Sequence, residues 1–495
     1  MKLIDLLQSS EYRCLQGNLD RQITGIAYHS GDIRPGSVFV CIKGAHADGH
    51  DYAREAAAKG AAAVVCQRPL GLPESVAVVE VSDSRKVMAE MAAAFYGFPA
   101  RKLTTIGVTG TKGKTTTTYM IQSVFRQAGR KCGLIGTVHI DTGKRIIESA
   151  HTTPESVEIQ KYLREMVDAG CTAAVIEVSS QALKLGRTEG IFFNIGVFTN
   201  LEEDHIGYGE HEDFADYAAC KARLFRNCEK GIVNGDDPGK DLVLKDHTCS
   251  VETYGFGKDC LIRGQHFDYV KMPGKLGVEF EIRGRYNINL VIGVPGKFSC
   301  YNAMAAAAVC AGCGIDDGSI AAGLREVTVP GRQEMFSAGE GRVIMVDYAH
   351  NGTALHNLLS ALRDYRPKKL TCIFGCGGQR DRKRRFRMAE AAAQYADFII
   401  VTSDNPRKEK PGDIIGDIAS ELIHREKDFA VIFDRRKAIE YGVSGCISGE
   451  LVVVAGKGHE NYQLIGEEKI HFDDREEVLA AIEKVNYEQN NFRGN

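Results

Sequence analysis

Short apolar runs alternate with amphipathic or alanine-rich segments along most of the chain. In the first hundred residues, apolar runs at 37–42, 62–66 and 76–81 predict strands, and an alanine-rich segment at 52–59 predicts a helix. Such runs, separated by helical patterns, are typical of sheets that are covered by helices. We therefore predict a small α/β domain at the N-terminus.

The same alternation continues in two further blocks. Apolar runs at 103–108, 173–178 and 195–199 precede a break at Pro330 and Gly331, and runs at 343–346, 370–374, 398–402, 431–433 and 451–455 follow it. Residues 98–101 read as a linker. We predict an α/β protein with three domains: a small N-terminal α/β domain (1–100), a central P-loop-type parallel-sheet domain (101–330) and a C-terminal Rossmann-like domain (331–495).

Composition narrows the class of protein. The 495 residues are 44% hydrophobic and 26% charged, as in an ordinary globular protein. The formal net charge of -3 does not favour binding to nucleic acid. No apolar run reaches the length of a membrane span and the start does not resemble a signal peptide, so we expect a cytoplasmic protein and a monomer. Fifteen scattered cysteines favour reduced core thiols, and Cys310 and Cys313 favour packing over metal binding.

The string GTKGKTT at residues 110–116 follows the apolar run 103–108. A strand, a glycine-rich turn and a helix together present backbone N–H groups to a phosphate chain. Lys114 supplies a positive charge and Thr115 a hydroxyl for the Mg²⁺ that accompanies ATP. The first glycine of the motif is either Gly107 or Gly110. This string predicts a nucleoside triphosphate site.

Polar side chains follow the next two predicted strands of the central domain. Glu177 ends one strand, and Asn200, Asp204 and His205 follow the other. Because parallel strands end at one edge of a sheet, Glu177 and His205 are candidate metal ligands beside the phosphate loop. His211 has no comparable position, and we expect it at the surface.

Lys221 lies on the apolar side of a predicted amphipathic helix. One interpretation is a lysine whose stem is buried and whose amine reaches solvent. The other is a lysine of lowered pKa that takes up CO₂ as a carbamate and so becomes an oxygen ligand. The sequence leaves both open.

Four polar strings follow predicted strands of the third domain. They are DYAHNG at 347–352, GCGGQRDRKRR at 375–385, SDNPR at 403–407 and GKGHE at 456–460. Ligands of open α/β sheets bind at that strand edge. The strings therefore predict a site for an anionic or zwitterionic small molecule.

These motifs, together with GRQE at 331–334, occur in the order and spacing of the Mur ligases, and the resemblance covers nearly the whole chain. Among these ATP-dependent amide-bond-forming enzymes of peptidoglycan precursor synthesis, the chain most closely resembles the MurE type, which extends UDP-N-acetylmuramoyl-L-alanyl-D-glutamate (UDP-MurNAc-dipeptide). DNPR followed by GKGHE resembles the subgroup that adds meso-diaminopimelate rather than L-lysine. The resemblance implies an acyl-phosphate intermediate, with ATP, the dipeptide and the amino acid as small-molecule substrates.

The resemblance also implies site residues. For ATP they are Gly110, Thr111, Lys112, Gly113, Lys114, Thr115, Thr116, Asn302, Arg332 and Asp347. For Mg²⁺ they are Thr115, Glu177, His205 and Lys221, with Lys221 as N6-carboxylysine; Lys114, Glu177, His205 and Lys221 would be catalytic. For UDP-MurNAc-dipeptide they are Ser30, Ala45, His46, Ala47, Thr152, Thr153, Ser179 and Arg187. For the amino acid they are Arg380, Asp404, Asn405, Pro406, Arg407, Gly456 and Glu460.

Some positions depart from the family's common pattern. These are Gly31, Gln181, Leu185 and Gln379, and they concern substrate contacts more than the catalytic set. The alternatives are the same reaction with L-lysine, a related Mur or folylpolyglutamate ligase, and a P-loop ATPase that ligates nothing. The DNPR and GKGHE strings argue against the last.

Overall fold

The computed structural model describes residues 1–44, 47–204, 206–207, 210–339 and 341–493, with side chains as far as 487. The chain forms two compact units. Unit 1 comprises Met1–Arg263 and Met304–Ile320, and unit 2 comprises Gly264–Ala303 and Ala321–Asn495. In the part of the chain that the structure describes, no helix combines the length and apolarity needed to cross a membrane.

Unit 1 begins with a five-stranded sheet in the order β1-β5-β4-β3-β2. The strands β2 to β5 run parallel and β1 pairs antiparallel with β5. Leu3, Val38, Val79 and Met91 are among the buried side chains of its core. The elements are α1 (Leu3–Leu6), β1 (Arg13–Gln16), β2 (Ile26–Ala27), β3 (Val38–Val40), α2 (Ala53–Ala58), β4 (Ala63–Cys66), β5 (Ala77–Glu80) and α3 (Ser84–Phe95).

The rest of unit 1 is built on a mostly parallel sheet in the order β13-β12-β11-β6-β10-β7-β8-β9. Only β8 and β9 run antiparallel to their neighbours in this part of the sheet. The elements are β6 (Thr104–Thr109), α4 (Lys114–Gln127), β7 (Cys132–Ile135), β8 (His139–Asp141), β9 (Ile146–Glu148), α5 (Ser156–Asp168), β10 (Ala173–Glu177), α6 (Ser180–Lys184), β11 (Phe193–Phe198), α7 (Phe214–Arg226), β12 (Cys228–Asn234), α8 (Lys240–Val243) and β13 (Ser250–Gly255).

The strand β6 occupies the centre of this sheet, between β10 and β11. All five residues of β10 are buried, because helices cover both faces of a parallel sheet. The helix α7 packs Leu224 and Phe225 into the core. Gly107, inside β6, leaves room for Leu224, whose nearest carbon would lie 3.0 Å from an added Cβ. Because β10 and β11 both run parallel to β6, the carboxyl ends of these three strands lie at the same edge of the sheet.

Three strands and two helices follow: β14 (Ile262–Met272), β15 (Lys275–Gly284), β16 (Ile288–Ile292), α9 (Lys297–Gly312) and α10 (Asp317–Arg325). The strand β15 lies between β14 and β16 and pairs antiparallel with β16. This antiparallel pairing, within a domain predicted to have a parallel sheet, was not predicted. The Pro273-Gly274 dipeptide, with Gly274 at φ +70°, joins β14 to β15 and is a turn signal.

Unit 2 contains a six-stranded sheet in the order β17-β18-β22-β19-β20-β21, in which only β17 is antiparallel. Its faces are covered by two clusters of buried side chains. The elements are β17 (Glu334–Ser337), β18 (Val343–Asp347), α11 (Gly352–Arg363), β19 (Leu370–Phe374), α12 (Lys383–Tyr395), β20 (Phe398–Val401), α13 (Pro411–His424), β21 (Phe429–Val431), α14 (Arg435–Ser444), β22 (Leu451–Ala455), β23 (Tyr462–Ile465), β24 (Glu468–His471) and α15 (Asp474–Arg493).

The α/β class and the parallel character of the C-terminal sheet are as predicted. Two local predictions differ from the structure. The strand expected at 431–433 is Phe429–Val431, and the expected linker at 98–101 overlaps a short 3₁₀ helix, Pro99–Lys102. All fifteen cysteines are free thiols. Cys310 is buried within α9, in line with the packing role expected for it.

Candidate functional site

The phosphate loop joins β6 to α4, as the sequence predicts. Gly110 has φ +146°, and a Cβ there would lie 1.9 Å from Thr199 Oγ1, so only glycine fits the turn. Gly113 has φ +83° and immediately precedes the first helical residue, Lys114. Gly110 is thus the first glycine of the turn, and Gly107 is a strand residue. The N-terminus of α4 can offer N–H groups to an anion.

Two lysine amines converge on one carbonyl oxygen of this loop. Lys114 Nζ donates to Gly110 O at 2.8 Å and to Thr111 O at 3.0 Å. Lys221 Nζ donates to the same Gly110 O at 2.9 Å and lies 4.4 Å from the centre of the Tyr217 ring. Burial, and then the charge of Lys114, hold the pKa of Lys221 well below its ordinary value. Lys221 is 1% exposed, so its amine does not reach solvent.

Glu177 lies at the carboxyl end of β10 and is fully buried. Its Oε2 accepts from Thr115 Oγ1 at 3.0 Å and from Thr137 Oγ1 at 2.9 Å. Its Oε1 accepts from the Thr137 backbone N–H at 2.9 Å. The carboxylate is therefore held beside the start of α4, as predicted. Thr137 was not predicted, because no motif marks it.

The loop after β11 fixes the other side of the phosphate loop. Asn200 Oδ1 accepts from the Lys112 N–H at 2.8 Å, and its Nδ2 donates to Lys112 O at 3.1 Å. Lys112 Nζ pairs with Glu202 Oε2 at 2.5 Å. Tyr217 OH donates to Thr111 Oγ1 at 3.0 Å. These hydrogen bonds hold the phosphate loop against the loop after β11. Thr116 is half-buried in the first turn of α4.

A second polar group leads away from Glu177. Thr153 Oγ1 donates to Glu177 O at 2.7 Å and accepts from Ser179 N at 3.1 Å. Thr152 Oγ1 lies 3.0 Å from Thr137 Oγ1. Arg187 Nη1 donates to Thr153 O at 3.0 Å, and its Nε donates to Glu155 at 2.9 Å. The structure thus brings Thr152, Thr153, Ser179 and Arg187 together beside the candidate metal ligand.

The expectation that His211 lies at the surface is wrong. His211 is 1% exposed, with Nδ1 3.0 Å from Asp216 Oδ2 and Nε2 2.9 Å from Ser180 Oγ. Lys184 donates to the same Asp216 oxygen at 2.7 Å and lowers the pKa of that carboxyl. Burial lowers the pKa of His211 by more than Asp216 raises it, which favours the neutral ring. The ring of His211 thus links Ser180 in the first turn of α6 to Asp216 in the first turn of α7, and these two partners satisfy its buried nitrogens.

Three candidate residues lie outside the described residues: Ala45 and His46 in the N-terminal domain, and the candidate metal ligand His205. The other N-terminal candidates are described. Ser30 begins a 3₁₀ helix, and its carbonyl accepts from Lys59 Nζ at 3.0 Å. Ala47 is exposed, and its carbonyl accepts from the Gly44 N–H at 2.9 Å.

Among the nucleotide candidates of unit 2, Arg332 and Asp347 lie close together. The Arg332 guanidinium lies 4.3 Å from the centre of the Tyr348 ring. Asp347 accepts from the N–H groups of Gln333 and Ala349, both at 2.8 Å. Burial raises the pKa of Asp347, and Arg332 opposes the shift. Asn302 is 5% exposed on α9.

The strings after β20 and β22 form one polar cluster. Asn405 Nδ2 donates to Glu460 Oε2 at 2.9 Å, and Asn405 Oδ1 accepts from Lys457 Nζ at 3.3 Å and from Leu464 N at 2.9 Å. Lys457 is fully buried and also contacts Glu460 Oε2 at 3.2 Å. Lys457 was not singled out from the sequence, although it lies inside the GKGHE string.

The other members of the candidate amino-acid site surround this cluster. Arg407 has φ +52°, and its Nη1 donates to Gly378 O at 2.9 Å. Asp404 lies next to Gly456, where a Cβ would meet Asp404 Oδ2 at 2.7 Å. Pro406 is buried, whereas Arg380 is exposed at the end of the GCGGQR string. The cluster combines fixed cations with carboxylates, as a zwitterionic ligand requires.

Comparison with known proteins identifies the class. The family models described as "Mur ligase family, catalytic domain", "Mur ligase middle domain" and "Mur ligase, glutamate ligase domain" match residues 22–96, 108–310 and 331–458. The chain belongs to the Mur ligase family, whose members are ATP-dependent ligases that form amide bonds, and it is therefore an enzyme.

Similar proteins carry one particular name. UDP-N-acetylmuramoyl-L-alanyl-D-glutamate--2,6-diaminopimelate ligase of Syntrophomonas wolfei is 40% identical, covering 97% of this chain and 99% of that protein. The enzyme of the same name from Geobacillus kaustophilus is also 40% identical, covering 98% and 100%. A solved structure with this name is 29% identical at a TM-score of 0.72, covering 98% and 99%. MurF ligase from Thermotoga maritima in complex with ADP shares the fold at 19% identity and a TM-score of 0.58, covering 95% and 99%.

Proposed function

We propose that this enzyme joins meso-diaminopimelate to UDP-N-acetylmuramoyl-L-alanyl-D-glutamate at the expense of ATP, in peptidoglycan precursor synthesis. The observation that carries the proposal is the arrangement at the end of β6, where Lys114, Lys221 and the Thr115–Glu177 pair surround one phosphate loop. The names of the similar enzymes support the choice of substrates.

The residues beside this loop fit a magnesium ion. Thr115 Oγ1 donates a hydrogen bond to Glu177 Oε2 at 3.0 Å, and hydroxyl and carboxylate oxygens are ligands that Mg²⁺ prefers. Thr115 and Glu177 would hold one Mg²⁺, and Glu177, His205 and carbamylated Lys221 would hold a second. When bound, Mg²⁺ supplies positive charge against the phosphoryl oxygens and the attacking carboxylate.

The burial of Lys221 supports the carbamate interpretation. A lysine needs its neutral amine to add CO₂, and burial together with Lys114 favours that neutral form. Addition forms an N–C bond and releases one proton from the nitrogen. The resulting carbamate would be an anion, and the positive charge of neighbouring Lys114 favours that anion.

The reaction proceeds in two steps. An oxygen of the D-glutamyl γ-carboxylate attacks the γ-phosphorus of ATP, and ADP leaves. The neutral amine of the incoming amino acid then attacks the acyl carbon, the C–O bond to the phosphate breaks, and inorganic phosphate leaves with the carboxylate oxygen and, in the net reaction, with the proton that the amine loses. Lys114 offsets the negative charge of the phosphates during the first step. Catalysis of that phosphoryl transfer depends mainly on positioning the reactants and on electrostatic stabilisation.

The substrates are assigned to the clusters described above. Gly110 to Thr116, with Asn302, Arg332 and Asp347, bind ATP. Ser30, residues 45–47, Thr152, Thr153, Ser179 and Arg187 bind the nucleotide sugar. Arg380, residues 404–407, Gly456 and Glu460 bind the amino acid. Arg407 selects diaminopimelate because a guanidinium pairs with its distal carboxylate, which L-lysine lacks.

The test is incubation of the enzyme with ATP, Mg²⁺, UDP-MurNAc-dipeptide and a panel of amino acids, followed by mass spectrometry of the product. We expect the mass of the diaminopimelate adduct together with ADP. An L-lysine adduct formed at equal efficiency would contradict the specificity. ADP without any ligated product would contradict the ligase assignment.

A further inference from the structure

A fully buried ion pair lies directly behind the candidate amino-acid site. Arg435, the first residue of α14, makes a two-pronged contact with Asp474, the first residue of α15, through Nε to Oδ1 and Nη2 to Oδ2, both at 2.7 Å. Both side chains are 0% exposed. Neither residue was predicted as part of a site, because nothing in the local sequence pattern separates them from ordinary helix-terminal charges.

The same guanidinium also holds two main-chain carbonyls. Arg435 Nη2 donates to Ala455 O at 3.0 Å, and Nη1 donates to Ser403 O at 3.3 Å. Ala455 is the last residue of β22 and directly precedes Gly456, whereas Ser403 directly precedes Asp404. One side chain therefore ties together the starts of the two loops that carry the candidate amino-acid ligands.

The charge of Arg435 also reaches those ligands. Burial lowers the pKa of Arg435, but Asp474, and after it Asp404 and Glu460, more than offset this and raise the pKa above its ordinary value. The positive charge of Arg435 therefore attracts one carboxylate in each of the two loops.

Stability alone does not account for this pair. Removing two charges from water is costly, and well-packed apolar residues in place of a buried pair are often as stable or more so. A guanidinium offers what apolar residues cannot, which is a rigid planar fork that sets the positions of several acceptors at once.

We propose that Arg435 and Asp474 are positioning residues for the amino-acid site. Asp474 fixes the plane of the guanidinium, and the guanidinium fixes the relative position of the SDNPR and GKGHE loops. Arg435 itself touches neither ATP nor the amino acid. The inference rests on the proposed function, because it assumes that these two loops bind the incoming amino acid.

The experiment compares steady-state constants and melting temperatures of four proteins. Arg435→Met breaks the fork. Arg435→Met combined with Asp474→Leu removes the whole pair and restores apolar packing between α14 and α15. Arg436→Met is the control, because Arg436 is the next residue on the same helix, 65% exposed, and pairs with Glu477. The wild type is the reference.

We expect the double variant to melt near the wild type and yet to show a KM for diaminopimelate raised about 10- to 100-fold, as displaced ligand groups cause. The KM for ATP should change by less than about threefold, since the hydrogen bonds of Arg435 go to Asp474, Ser403 and Ala455 and not to the ATP-site candidates Arg332 and Asp347. Arg436→Met should match the wild type. Should Arg435→Met fail to fold, the double variant still decides the question.

A double variant with wild-type KM for diaminopimelate would overturn the proposal and leave the pair as a structural contact. Equal increases in the KM values for ATP and diaminopimelate would also overturn it, because that pattern indicates general loosening. A wild type that ligates no amino acid would instead refute the proposed function, so the two failures are distinguishable.

Discussion

Replacement of Arg407 by asparagine tests the basis of amino-acid selection. Arg407 has φ +52°, a left-handed conformation that asparagine tolerates better than most residues. Its main-chain N–H donates to Leu464 O at 3.0 Å, and its carbonyl accepts from Gly466 N at 2.8 Å. Arg407→Asn therefore removes the guanidinium while it preserves the backbone that positions the loop.

The magnitude follows from the contact that is lost. A charge-assisted pair between a guanidinium and a carboxylate contributes about 1.5–3 kcal/mol. With about 1.4 kcal/mol for each factor of ten, kcat/KM for diaminopimelate should fall about 10- to 150-fold. L-Lysine has no distal carboxylate, so its kcat/KM should change by less than about threefold.

The assay measures kcat/KM for both amino acids at saturating ATP and nucleotide sugar. Lys408→Asn is the matched control, because Lys408 is the next residue, is exposed and pairs with Glu467. We expect the ratio of diaminopimelate to lysine efficiency to collapse in Arg407→Asn and to persist in Lys408→Asn. Equal losses with both amino acids would refute the reasoning, since they would mean that Arg407 supports the loop and not the carboxylate.

Three further predictions concern catalysis and stability. Lys221→Ala should lower the rate of ligation by more than about 100-fold, which exceeds the loss typical of residues that only hydrogen-bond to a metal ligand. Short carboxylic acids should partly restore the rate. Full activity in the untreated variant would contradict the carbamate interpretation. Gly331→Ala should lower the free energy of unfolding by about 2–4 kcal/mol, because Gly331 has φ +65° and an added Cβ would lie 2.0 Å from His459 N. The control is Gly339→Ala, which has φ +79° but whose Cβ would lie 3.6 Å from its nearest neighbour, so it should lower the free energy of unfolding by about 1 kcal/mol in the same denaturation experiment. Equal losses in the two variants would contradict the predicted steric clash at Gly331. Glu158→Gln should raise the melting temperature at pH 7 to 8, because burial raises the pKa of Glu158 and its Oε2 has no hydrogen-bond partner. A raised carboxyl pKa makes the wild type lose stability as pH rises from about 4.5 through the folded-state pKa. The stability advantage of glutamine should therefore grow over that pH range, and an advantage that does not change with pH would contradict the prediction.

The sequence predicted the centre of the site better than its surroundings. Glu177 and Asn200 could be placed beside the phosphate loop because parallel strands end at one edge, and the hydrogen bonds of both residues to that region bear this out. The domain bounds at 100/101 and 330/331 stay predictions, as do the roles of the individual site residues.

What the sequence missed depended on distant partners. His211 and Arg435 resemble ordinary surface charges in their own segments, and both are buried because residues on other elements satisfy them. The antiparallel pairing of β15 with β16 was not predicted, although the Pro273-Gly274 dipeptide between β14 and β15 is a turn signal. Local patterns indicate elements, whereas pairing and burial depend on the whole fold.

Transfer of ¹⁸O from the substrate to phosphate tests the central claim that ATP activates the acceptor's carboxylate. The D-glutamyl γ-carboxylate of the nucleotide sugar is labelled with ¹⁸O, and the inorganic phosphate released during ligation is analysed by mass spectrometry. Our account predicts one ¹⁸O atom in each phosphate released, because a carboxylate oxygen bonds to the γ-phosphorus and leaves with it. Unlabelled phosphate formed alongside the amide product would contradict it.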